Sequence, residues 1–122
     1  MLRFALVFLI FTVVSCATED PDLDLPIAED TITLLVFCNN TDVKCTDLQY
    51  IPEYVDNTFG DEISTASVFV DSPRGREISD TLEISDIPSY VIFRPSGEEA
   101  YRALGEINIE TIGEQITILL TE

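Results

Sequence analysis

Apolar and polar positions change their period several times along the chain, and each change marks an element. Thr31 to Cys38 is a short, continuous, β-branched and apolar run, the pattern of a strand buried on both faces. From Thr46 to Thr58 the period lengthens, and Leu48, Ile51, Val55 and Phe59 recur at helical spacing. Thr41 or Asp42 is in place to cap this helix. Pro52 falls inside it and is expected to kink it, because the ring removes a hydrogen-bond donor. Gly60 is a natural stop. Ala66 to Asp71 reads as a second strand, Ser72-Pro73-Arg74-Gly75 as a turn, and Glu77 to Ile84 as a short helix. Ser89 to Arg94 and Glu99 to Leu104 are strands joined by Pro95-Ser96-Gly97, which is hairpin chemistry. The closing helix runs from about Asn108 to Leu120, with Ile109, Ile112, Ile116, Leu119 and Leu120 as its apolar stripe.

The resulting order is β-α-β-α-β-β-α. A β-α-β unit requires a parallel pair and the hairpin adds antiparallel strands. The expected class is therefore α/β, with a mixed central sheet of about four strands and helices on both faces.

Ahead of the first strand the pattern belongs to two other things. Residues 1–17 carry the basic Arg3, an apolar run from Phe4 to Val14, and then Ser15-Cys16-Ala17. This is a secretory signal peptide, too short and too weakly flanked for a stable transmembrane helix. Ser15-x-Ala17 fits cleavage before Thr18. Val13-Val14-Ser15-Cys16 instead resembles a bacterial lipobox, which makes Cys16 a lipidation candidate. Retention as an uncleaved anchor is a third route, and all three export the domain. Residues 18–30 hold Glu19, Asp20, Asp22, Asp24, Glu29 and Asp30 with two prolines. They read as an acidic, solvated tether with too little apolar surface to offset ordering. Residues 31–122 are left as the domain.

Composition then removes several classes of function. The net charge is −17, from 23 acidic and 6 basic residues. No basic stripe exists to displace counterions from phosphates, so nucleic acid is not an expected partner. Membrane contact is expected only through the signal or a lipid. Histidine is absent, which excludes His-based acid–base chemistry and the commonest zinc ligand. Two mature cysteines do not make a structural zinc site. The Asp20/Asp22/Asp24 spacing lacks the glycine and distal glutamate of a calcium loop. No metal or cofactor is therefore expected, although low-affinity cation buffering by the acidic surface remains a third-ranked activity. In an exported compartment Cys38 and Cys45 are either a disulfide pair or two buried thiols.

The strand ending Leu34-Leu35-Val36-Phe37, the polar loop before Cys45, and Ile87-Pro88-Ser89-Tyr90-Val91-Ile92-Phe93 together resemble the thioredoxin and protein disulfide isomerase superfamily. The resemblance covers about residues 31 to 120. It implies a thioredoxin-like fold, a cis peptide bond before Pro88, and a groove of Thr41, Asp42, Ile87, Pro88 and Ser89 that holds an extended polypeptide or partner protein. In that family a strand leads through a Trp-Cys-x-x-Cys loop into a helix. Laid without a gap on Phe37, the first cysteine position falls on Asp42 and the second on Cys45. Thr41 stands where the tryptophan is usual, and Val36 where an acidic residue is usual. These three departures imply a degenerate, redox-inactive motif, because a carboxylate cannot attack a disulfide. The competing expectation is a thiol–disulfide oxidoreductase or isomerase working through Cys45, with or without Cys38. A slid loop frame that makes Cys45 the leading thiol is one form of it. Asn39-Asn40-Thr41 is also a glycosylation sequon, which makes Asn39 a modification candidate in a eukaryotic secretory pathway.

Overall fold

A computed structural model describes residues 25–122. The signal peptide, Cys16 and the first part of the acidic tether lie outside these residues. Seven elements follow one another: β1 (Ile32–Cys38), α1 (Tyr50–Phe59), β2 (Ile63–Phe69), α2 (Pro73–Thr81), β3 (Ser89–Phe93), β4 (Glu99–Leu104) and α3 (Ile109–Leu120). The four strands form one mixed sheet in the order β2-β1-β3-β4. β1 runs parallel to β2 and antiparallel to β3, and β3 runs antiparallel to β4.

β1 lies between two neighbours and is buried along its whole length, as its unbroken apolar run requires. Strand alternation sends its side chains to two different cores. Ile32, Leu34 and Val36 meet Ile51 and Val55 of α1 and Ile112, Ile116 and Leu119 of α3. Leu35 and Phe37 meet Val68, Val91, Phe93 and Ile78 of α2 on the opposite face. Helices therefore cover both sides of the sheet. β4, at one edge, carries Glu99 and Arg102, joined at 2.7 Å. The Arg102 hydrogen bond holds the Glu99 carboxyl below its ordinary value. Charges of this kind discourage edge-to-edge pairing.

Several elements differ from their expected limits. The helix expected over Thr46 to Thr58 is two pieces: a 3-10 turn, Cys45–Leu48, and then α1. Pro52 thus falls in the first turn of α1, where a missing N–H interrupts no ladder, and the expected kink does not arise. Neither Thr41 nor Asp42 caps a helix. Ser72-Pro73-Arg74-Gly75 is not a turn but the start of α2. Ser72 Oγ accepts from Gly75 N–H at 2.9 Å and Pro73 takes the first helical position, a standard entry. Gly75 is obligatory, since a Cβ there would stand 1.7 Å from the Phe69 carbonyl oxygen. α2 ends three residues earlier than expected, ahead of Glu83 at φ +58°. β2 begins at Ile63 rather than Ala66 because Ile63 pairs with Ile32 at the start of β1. The tether reading fails for its last residues: Leu25 and Ile27 pack against the Leu35–Phe37 core, and Ala28 N–H donates to Thr33 Oγ1.

Candidate functional site

The site grows out of the C-terminal end of β1. Cys38 closes the strand and Cys45 opens the 3-10 turn, and the two are joined by a disulfide with Cα atoms 5.1 Å apart. That distance lies inside the range a bridge requires. Cys38 is 0% exposed and Cys45 4% exposed. The bridge lies beneath the loop, not at its tip.

Asn39 organises the loop between them. Its Oδ1 accepts the backbone N–H groups of Thr41, Asp42 and Val43 at 3.1, 3.0 and 3.0 Å. Its own N–H donates to Val43 O, and its carbonyl accepts from Cys45 N–H. Asn40 N–H reaches Asp71 Oδ2 at 3.1 Å, which ties the loop to the end of β2. Thr41 and Asp42 are exposed at the tip, with their amides satisfied from below. The Asn-Asn-Thr-Asp run after a strand carries a sequence signal for such a loop, since asparagine side chains mimic a backbone turn. Replacing Asn39 with alanine is expected to destabilise the protein by about 1–2 kcal/mol, the range for losing a capping oxygen. Asn39→Asp, which keeps an oxygen in place, is expected to recover most of that loss. Urea unfolding of both variants checks the pair.

The loop before β3 reaches the same end of the sheet. The Ile87–Pro88 peptide bond is cis. Phe37 pairs with Ser89 across β1 and β3, so the register places Pro88 at the same end of the sheet as the Cys38–Cys45 loop. Ile87 and Pro88 are half-buried, and Ile87 packs against the Phe37 core. Ser89 must be withdrawn from the groove. It is 0% exposed, its hydroxyl donates to the Asp86 carbonyl, and it accepts from Gly105 N–H at 3.2 Å. Its work is to fasten the proline loop to the end of β4. Thr41 and Asp42 are exposed at the loop tip, and Ile87 and Pro88 are half-buried at the same end of the sheet.

Among the described residues no three His, Cys, Asp or Glu side chains are grouped to hold an ion. No described helix is long and apolar enough to cross a membrane.

No protein-family model matches the sequence, and no curated protein matches it. Solved structures do. Thioredoxin O2 from Arabidopsis thaliana, in its oxidized state, is similar with a TM-score of 0.62 at 14% identity, covering 74% of this chain and 76% of that one. Fasciola hepatica thioredoxin is similar at 0.62 and 21% identity, covering 75% and 83%. A designed protein reaches 0.64 at 20% identity over the same shares. The fold is thioredoxin-like: three helices on a four-stranded mixed sheet.

Proposed function

We propose that this chain is an exported, redox-inactive thioredoxin-like domain that binds an extended polypeptide between the Asn39–Lys44 loop and cis-Pro88. The observation that carries the reading is the burial of the bridge, with Cys38 0% and Cys45 4% exposed. Exchange begins when a thiolate approaches a disulfide sulfur, and access limits that step. An occluded bridge gives an attacking thiolate no approach. Asp42 stands exposed at the loop tip instead of a thiol, and carries no sulfur chemistry.

Binding is supported by preorganisation. Three amides of the loop are held by one side chain, and the opposite wall is fastened through Ser89. A surface already ordered loses less freedom when a ligand arrives. Export is supported by the signal pattern of residues 1–17 and by a disulfide, which persists in oxidising compartments.

Two assays test the proposal. The protein is expected not to accelerate dithiothreitol-driven reduction of insulin above the uncatalysed rate. It is expected to bind an unfolded, carboxymethylated polypeptide, with Asp42→Arg and Pro88→Ala each weakening binding by about tenfold, or about 1.4 kcal/mol. Unchanged binding in both variants would move the site elsewhere. A second reading, a thiol–disulfide oxidoreductase, is favoured by the bridge itself. Insulin turnover abolished by Cys45→Ser would replace the first reading with that one.

A further inference from the structure

The proposed groove at Pro88 leaves a second concave surface unused, on the sheet face that carries α1 and α3. A cavity of ≈ 650 Å³ lies between these helices. Tyr54 and Phe59 line it from α1, their rings 6.4 Å apart and near perpendicular. Gly113 and Ile118 line it from α3. Gly113 is buried, and the Tyr54 hydroxyl occupies the space a Cβ would need there, so Tyr54 seats directly on α3 at the base of the groove. Ile118 is 52% exposed, more than any other large apolar side chain among the described residues.

The rim of this apolar floor is acidic. Glu110 and Glu114 line the cavity, four residues apart and so one above the other on α3. No lysine or arginine lines it, on a chain of net charge −17. An apolar trough with a one-sign rim selects a ligand with an apolar stripe flanked by the opposite charge. Self-association of so acidic a chain meets repulsion, and anionic lipid is disfavoured by the same sign.

We propose that the α1–α3 groove docks a cationic amphipathic helix of a partner polypeptide. Apolar residues of that helix lie on Tyr54, Phe59 and Ile118. Its lysines or arginines, one turn apart, meet Glu110 and Glu114. The surface is independent of the Pro88 groove, so either reading stands without the other.

The test titrates isotope-labelled full-length protein with a synthetic helical peptide of leucine and lysine, about 14 residues long. A non-amphipathic scramble and an oligolysine of equal charge serve as comparisons. The expected result is saturable one-to-one binding, with amide shifts centred on Tyr54, Gly113 and Ile118. Ile118→Ser and the double change Glu110→Gln with Glu114→Gln are each expected to weaken binding at least tenfold. All three positions are exposed or partly so, and circular dichroism verifies that the variants fold. The proposal is overturned if the amphipathic peptide does not bind, or if the scramble or oligolysine binds as well. Shifts at the Pro88 groove instead, or variants that bind like the parent, overturn it too. Concentration-dependent dimerisation through Ile118 with no peptide binding would assign the groove to a second copy and likewise end the proposal.

Discussion

Removing the Cys38–Cys45 bridge is expected to lower the unfolding free energy by about 2–3 kcal/mol, the chain-entropy value for so short a loop. The bridged residues are seven apart in sequence, so the denatured chain is constrained over a small loop only. That places the effect at the lower part of the usual range for a native disulfide. For a domain near this size the midpoint of thermal unfolding falls by roughly 10–20 °C. The variant to measure is Cys38→Ala with Cys45→Ala, compared with the parent under oxidising and reducing conditions. Both sites are buried, and alanine leaves no polar group without a partner there. Parent reduced while unfolded and refolded under reductant is expected to melt with the double variant. A double variant that melts with the oxidised parent would show that the bridge does not staple the loop. The structural role in the proposed function would then fail, while the fold would stand.

A still larger loss is expected from Phe37→Ala. Phe37 is fully buried at the end of the central strand, packed with Leu35, Val68, Ile78, Val91 and Phe93. Truncating a core phenylalanine typically costs about 3–5 kcal/mol, from lost transfer energy and the cavity left behind. Against a whole stability of about 5–15 kcal/mol, that is enough to populate unfolded chain at moderate temperature. The position also bears on the site. Phe37 pairs with Ser89 and shares its core with Ile87, so the cavity opens beneath the cis-proline loop. Phe37→Leu keeps most of the volume and is expected to cost under about 2 kcal/mol. Denaturant midpoints at constant slope distinguish the two variants. A loss below about 1 kcal/mol for the alanine variant would mean that the site collapses around the gap.

How far the sequence could be read follows from which signals are local. The strands β1 and β3 are legible because a strand buried on both faces reads as a nearly continuous apolar run, broken here only by Thr33 and Ser89. The closing helix is legible because its stripe repeats over three turns, with Asn108 capping it through Glu110 and Thr111 N–H. Ser72-Pro73 misleads because serine before proline suits a turn and a helix start equally well. What decides is the Phe69 carbonyl, which accepts both the N–H and the hydroxyl of Ser72 and turns the chain into α2. Pro52 misleads because helical periodicity runs straight through a 3-10 turn into an α-helix, and the period does not show the boundary.

The candidate site divides in the same way. Hydrophobic periodicity, the turn residues and the order of elements determine the α/β class and bring a proline loop opposite the end of β1. The absence of histidine and the large acidic excess exclude chemistries on the sequence alone. Whether two cysteines bridge is a matter of a few ångströms between Cα atoms, and no pattern along the chain contains that distance. The roles of Asn39 and Ser89 are equally tertiary. Only the placement of the Thr41, Asp42 and Val43 amides shows that Asn39 Oδ1 holds the loop, and only the Asp86 carbonyl and Gly105 N–H show that Ser89 is turned inward. Local propensity chose the elements; only packing decided which polar atoms were turned inward to hold the loop and which, at Thr41 and Asp42, were left facing out.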